Sequence, residues 1–409
     1  MTNPARRELP RNIEPFTLVN GRFVEVARGL VPLFQAEAAE GEKLRAPTAA
    51  AAEALKSSGL LTMLLPRRWG GAGISPSDYA RAMIQLAKGD PSIAWVTQII
   101  NGTTWVGSIT SDATQDALFG QGPRLICGAY NPPGIARRVE GGYIVTGAWP
   151  YTSGSRQADW AQCGVFIEQA DGPPMPVLNM AYIPFSQIEM RDTWFVSGMQ
   201  GTGSDTSVAN EIFVPDARMV TMDKPVGSIE PGKRNWGAAS DMLPVVPTVR
   251  ATGLALLLGG AEAMLEIVEA ESPKKAIVTT TYRHRTDSPI VLHDIGRIAA
   301  QLDSASILLF RATDIIGQLA EAGADMSDRQ RSAHKAQCAQ IVELIHHAIE
   351  GLMFIAGSSA FSLSHPLNRY WRDIHMGLRH ITNIPSLGYE IYGRERLDAR
   401  PNITPSGAF

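Results

Sequence analysis

Residues 149–160 read WPYTSGSRQADW, and the segments on either side decide what fold this stretch belongs to. Two tryptophans bracket a run of hydroxyl residues around Gly154, and a glycine pair, Gly141-Gly142, lies just upstream. A Gly-Gly between "ARRVE" and "YIVTG" is a hairpin signal. Taken alone, the stretch is a hairpin end whose aromatics fill a β core and whose Ser-Gly makes the turn. From about 124 to 232, "RLICGAY", "WAQCGVFIEQ", "PVLNMAYIPF", "IEMRDTWFV" and "NEIFVPDARMV" are short, β-rich and divided by turn residues. Five or more strands at this spacing predict a compact sheet or barrel.

Working outward, both flanks are helical. Upstream, "FVEVARGLVPLFQAEAAEGEKL" and "PTAAAAEALKSSGLL" have helical periodicity and good helix formers. Ser77 or Asp78 is placed to cap "YARAMIQLAKG", and the nearly uncharged "DPSIAWVTQIINGTTWVGSI" predicts a buried helix. Downstream, one apolar face carries Leu254, Leu257, Leu258, Ala261, Leu265 and Val268, and a second carries Ile341, Val342, Ile345, Ile349 and Leu352. A further face runs from Ile295 to Leu309, so a helical bundle is expected. The expected architecture is mainly α with a central β domain: helices over 1–123, strands over 124–233 and a bundle over 234–409.

The bulk numbers narrow the function classes. The chain has 409 residues, 44% hydrophobic and 19% charged, with a formal net charge of −3. No basic footprint marks a nucleic-acid partner. Three cysteines without CxxC spacing argue against a disulfide framework. "MTNPARRELPRNIEPF" has no apolar signal core, and "LALLLGGAEAMLEIV" is too short and polar to span a bilayer. A cytoplasmic protein without membrane partners is therefore expected.

Five motifs in order carry a resemblance. "LPRRWGGAGISPSDYARAMIQLAKGDPSIAW", "GGYIVTGAWPYTSGSRQADW", "SGMQGTGSDTSVANEIFVP", "YRHRTDSPI" and "RYWRDIH" resemble segments of the acyl-CoA dehydrogenase superfamily. "GAWPYTSG", "GMQGTGS" and "PLNRYWRDIHMGLRH" look more like its two-component flavin-dependent monooxygenases, such as 4-hydroxyphenylacetate and dibenzothiophene monooxygenases. The resemblance implies an N-terminal helical domain, a β-barrel or sandwich, a C-terminal four-helix bundle and a homotetramer. It implies an oxygenase component that takes reduced flavin from a separate NAD(P)H-dependent flavin reductase. FMNH2 is expected ahead of FADH2. With O2 as co-substrate and a C4a-hydroperoxyflavin as oxidant, it would hydroxylate or oxygenate a small aromatic or heterocyclic molecule.

Two other functions stay open. A dehydrogenase or oxidase with bound FAD needs a carboxylate base, and the two windows where the superfamily carries one offer only Glu262 and Glu390, both badly placed. A non-catalytic scaffold would have lost the flavin altogether. An oxygenase needs a dry pocket with a few aimed hydrogen bonds. By resemblance, Trp149, Tyr151, Thr152 and Ser153 would wall the flavin, and Ser153 would also act in catalysis. Gly201, Thr202 and Ser204 of "GMQGTGSD" would admit a phosphate or substrate, unless they form only a turn. Arg283 (or Arg285) would meet the flavin phosphate from a neighbouring subunit. His380, eight residues after Arg372, would manage a proton, with His375 as its competitor. Asn101 would stand on the wall where some members carry a histidine of the first helical domain, donating a bond without acting as a base. Arg372-Asp373 reads as a structural pair. Glu343 and His346 make a single Glu-x-x-His, and a di-iron bundle needs two, so no metal is expected.

Overall fold

The computed structural model describes residues 13–169, 177–221, 235 and 237–399. Its first layer holds α1 (Arg22–Leu44), α2 (Ala49–Ser57), α3 (Pro76–Gly89), α4 (Pro91–Ser108) and α5 (Asp112–Phe119). α3 begins earlier than the sequence suggests. Ser75 is its cap and accepts the Asp78 N–H, with Pro76 in the first turn, rather than Ser77 or Asp78 capping. Proline needs no N–H partner at that position, so Ser-Pro starts the helix cleanly.

α4 is almost wholly buried. Asp90 caps it through Ser92 N at 2.7 Å, and no charged side chain follows along its 18 residues. That composition lets it be enclosed on nearly every side. Only Trp95 and Ile99, one turn apart, escape full burial. They mark the one face of α4 that is not fully enclosed.

The strands are β1 (Ile126–Val139), β2 (Gly142–Trp149), β3 (Trp160–Ile167), β4 (Asn179–Pro184), β5 (Glu189–Arg191), β6 (Thr206–Pro215) and β7 (Met219–Thr221). They form one sheet in the order β5-β6-β2-β1-β3-β4-β7, antiparallel except for β1 with β3. The Gly141-Gly142 turn joins β1 to β2, with Gly141 at φ 74. Inside the sheet Trp149 packs among Ala136, Val145, Ala161, Cys163, Val165 and Val214. A Cβ on either Gly134 or Gly147 would come within 2.6 Å of its ring. Both glycines therefore make room for one indole.

The last layer is a bundle of α6 (Val245–Glu271), α7 (Pro289–Glu321), α8 (Asp328–Ala356), α9 (Pro366–Leu378) and α10 (Pro385–Arg396). Its interior holds Leu254, Leu257, Leu258, Ile298, Leu302, Leu309, Ile341, Ile345, Ile349 and Leu352, all buried. Segments 245–274 and 328–356 are long and apolar enough to cross a membrane, by length and composition. Here both pack into the bundle, and their most apolar windows are 72% and 50% buried.

Candidate active site

Three segments from distant parts of the chain meet on one face of α4. The turn after β2 presses down so closely that a Cβ on Gly154 would lie 3.0 Å from Ile100 and 3.5 Å from Val96. The loop before β6 does the same at Gly201, where a Cβ would lie 3.1 Å from the Ser92 Cβ. From the bundle, the His380 ring stands edge-on to Trp95, centroids 5.4 Å apart. Ser92, Trp95, Val96 and Ile100 are spaced to share a helix face, so the three segments are neighbours there.

A chain of hydroxyls ties the first two segments together. Thr202 Oγ1 lies 2.6 Å from Ser204 Oγ, which lies 2.6 Å from Ser153 Oγ, all three residues being buried. The loop holding Thr202 is fixed to the bundle at two points. Gly198 lies so close to Arg372 O that a Cβ would reach 2.3 Å. The Met199 N–H donates to Asp373 Oδ1 at 2.5 Å, and Ser92 Oγ donates to Asp373 Oδ2 at 3.1 Å. Burial, reinforced by the neighbouring Asp90, pushes the Asp373 carboxyl up to about 7. Burial likewise raises Asp90 to about 6.

His380 caps the turn after α9. Thr382 meets its Nδ1 from two sides, through Oγ1 at 2.8 Å and through the backbone N–H at 3.4 Å. Nε2 has no partner among the described residues and remains available. Burial lowers the ring's pKa, so it is neutral at neutral pH. Tyr151, with positive φ at 63°, is 61% exposed and edge-stacks on Trp194 at 5.4 Å.

Several expected site residues lie elsewhere. Trp149 is wholly enclosed in the sheet core and donates Nε1–H to Gly164 O at 2.8 Å, so it offers a ligand no surface. Thr152 is equally enclosed, with Oγ1 2.9 Å from Trp149 O and 2.8 Å from Ser207 Oγ. Asn101 faces the turn after α2. It accepts the Leu64 N–H at 3.2 Å and donates to Leu60 O at 2.7 Å and Thr97 O at 3.0 Å. It is a tether, not a wall donor. Asn101→Ala should lower stability by about 2–3 kcal/mol, because the Leu64 N–H and Leu60 C=O lose their partners. Urea unfolding checks this, and a change under about 0.5 kcal/mol would class it with surface substitutions.

Gly201 is buried against Ser92 in a 3-10 turn, so a turn is what that glycine supplies. His375 points away from the cleft, with Nε2 2.5 Å from Glu350. Arg372 and Asp373 are no pair. Arg372 bonds Glu42 at 2.5 Å and Ser197 O at 2.6 Å while Asp373 turns inward, since adjacent helical residues point about 100° apart. Arg283 is exposed on the loop before α7, whereas Arg285 is buried and donates to Ala356 O at 2.6 Å. The two acids considered as a base are both in ion pairs outside the cleft, Glu262 with Lys88 at 2.9 Å and Glu390 with Arg394 at 2.8 Å.

Two residues of the opening stretch went unnoticed in the sequence. Ser155 Oγ and Gln157 Oε1 are buried and have no partner among the described residues. Unpaired buried oxygens are costly unless something fills the site. Both residues lie in the same turn as Ser153, and unpaired buried polar atoms there fit the polar edge of a flavin. A separate cavity of about 150 Å³, lined by Glu14, Phe16, Arg67, Arg68 and Asp241, shares none of these residues. It is below the few hundred Å³ of an ordinary cofactor site.

Comparison with known proteins agrees with this geometry. Residues 25–117 match the acyl-CoA dehydrogenase N-terminal domain and residues 252–384 the acyl-CoA dehydrogenase C-terminal domain. The chain belongs to the acyl-CoA dehydrogenase superfamily. Among its relatives, the oxygenase component of an FADH(2)-dependent resorcinol hydroxylase from Rhizobium sp. is 27% identical, with all of both chains covered. The flavin-dependent monooxygenase oxygenase subunit HsaA of Mycobacterium tuberculosis is 28% identical over 92% of this chain and 95% of its own. XiaF from Streptomyces sp., solved with FADH2 and glycerol, superposes with a TM-score of 0.89 at 27% identity, covering 94% of this chain and 97% of XiaF.

Proposed function

We propose that this protein is the oxygenase component of a two-component flavin-dependent monooxygenase. It would take reduced flavin, FADH2 or FMNH2, from a separate NAD(P)H-dependent reductase and place one oxygen atom of O2 on a small aromatic or heterocyclic substrate. The observation that carries this reading is His380, a neutral histidine with an unpartnered Nε2, standing edge-on to Trp95 of α4. Glu262 and Glu390 are held elsewhere in ion pairs. A relative and a solved structure are named for FADH2, while another solved structure, TdsC from Paenibacillus sp. A11-2, holds FMN, so the reading takes a reduced flavin of either kind.

Reduced flavin, when bound, supplies the electrons that activate O2. The chain's own groups would do the rest. Ser153, Ser155 and Gln157 orient the polar edge of the ring, and the Ser153–Ser204–Thr202 chain keeps that edge rigid. Tyr151 would wall the opening, and Trp95 with Ile99 would line a dry floor. His380 Nε2 holds or passes one proton at the reacting atom. Arg283, exposed before α7, would meet a flavin phosphate of a second subunit in a homotetramer. The protein would work in the cytoplasm, without nucleic acid or membrane.

The test is a coupling measurement. The protein, reduced flavin, O2 and a panel of phenols and indoles are mixed, and product and hydrogen peroxide are counted per flavin oxidised. Hydroxylated product in at least half the turnovers for one substrate class is the expected result. Peroxide alone with every substrate, together with anaerobic bleaching of bound FAD by an acyl-CoA, would establish a dehydrogenase instead. No binding of flavin in either redox state would leave only a scaffold.

A further inference from the structure

We propose that His346, Glu350 and His375 form a site for a divalent transition metal of the zinc type, on the bundle face outside the flavin cleft. One ligand atom from each side chain already lies within 4.8 Å of the other two. His346 and Glu350 are one turn apart on α8, and His375 approaches from α9. The His375 ring stands perpendicular to that of His346, centroids 5.3 Å apart, and its Nε2 is 2.5 Å from Glu350 Oε1. Around zinc, ligand atoms sit about 2.0–2.1 Å from the ion and hence about 3.3 Å from each other. Small side-chain rotations close the remaining gap. Two imidazoles and one carboxylate suit a borderline cation, and water would complete the shell.

Outer partners are also in place. Trp371 Nε1 donates to Glu350 Oε1 at 2.9 Å, fixing the carboxylate. Its ring packs on His375, centroids 4.7 Å apart. Arg379 sets the affinity. Its Nη1 lies 2.7 Å from His375 Nδ1 and 2.9 Å from the His375 carbonyl. A guanidinium only donates, so Nδ1 is an acceptor and Nε2 carries the proton shared with Glu350. For Nε2 to ligate, that proton must leave Nε2 and Nδ1 must become the protonated nitrogen. Arg379 must then release Nδ1 and keep only the carbonyl. The site therefore opens by one exposed side chain swinging away. Once filled, it joins α8 to α9, the helix that runs into His380.

The test uses the full chain, stripped with chelator and titrated with Zn2+ by calorimetry. One ion per chain with micromolar or tighter affinity is expected. Glu350→Gln and His346→Ala should each weaken it at least tenfold, with helical circular dichroism unchanged. His347→Ala, on the neighbouring exposed histidine, should leave it intact. Arg379→Gln gives Nδ1–H an acceptor and should tighten binding about tenfold, the usual scale for an outer partner. Binding weaker than about 100 μM, or binding that survives both ligand substitutions, would overturn the site and mark adventitious surface histidines.

Discussion

His380→Ala should cut product per reduced flavin by about 10²-fold or more, the usual scale for losing a positioned acid–base group. Flavin should still bind and still be oxidised, with hydrogen peroxide in place of product. The residues proposed to hold the flavin on the other two segments are untouched, so affinity and coupling separate. The pH dependence gives a second readout. Burial lowers the His380 pKa, so the folded chain holds the ring neutral while an unfolded chain takes a proton near pH 6.5. Stability therefore falls as pH drops through that value, and coupling falls at still lower pH as the folded ring protonates. Both effects should be missing from the alanine variant. If His380→Ala couples as well as the unaltered protein, His380 has no part in the chemistry.

The order of helix, sheet and helix was legible because each region's periodicity is strong and its apolar positions repeat. The site was legible only in outline. WPYTSGSRQADW supplies Ser153 to the hydroxyl chain, but the roles within the stretch were assigned by proximity in sequence. A strand alternates, so Trp149 turns into the sheet, and Gly134 and Gly147, which clear space for it, are the signal that could have shown this. Tyr151 faces outward because of a positive φ that no non-glycine residue advertises. Asn101 looked like a wall donor by resemblance, as a stand-in for a residue of the first helical domain. Its partners Leu60 and Leu64 lie about forty positions away, where no local pattern reaches. The His346–Glu350–His375 group escaped for the same reason. Its third member comes from another helix, so the i,i+4 pair His346 and Glu350 on α8 had no visible partner in the sequence.

The second large effect concerns Asp373, which joins the bundle to the loop carrying the hydroxyl chain. Asp373→Ala should destabilise the protein by about 3 kcal/mol, since the buried Met199 N–H and Ser92 hydroxyl lose their acceptor. The loop from 198 to 204 should also loosen, which amide exchange at Met199 and Thr202 would report. Asp373→Asn has the opposite consequence above neutral pH. Its carbonyl still accepts from Met199, and its NH2 can donate to Ser92. In the unaltered protein burial holds the Asp373 proton up to about pH 7, while an unfolded chain releases it near 3.9. The folded state thus binds the extra proton across that window, and stability falls as pH rises through it. Asp90, raised to about 6 and coupled to Asp373, adds to the same slope. Asp373→Asn should flatten the slope and melt higher than the unaltered protein at pH 8. Identical pH dependence in the two would show that this carboxylate is charged throughout, and that Arg372 or another cation neutralises it more fully than the geometry indicates.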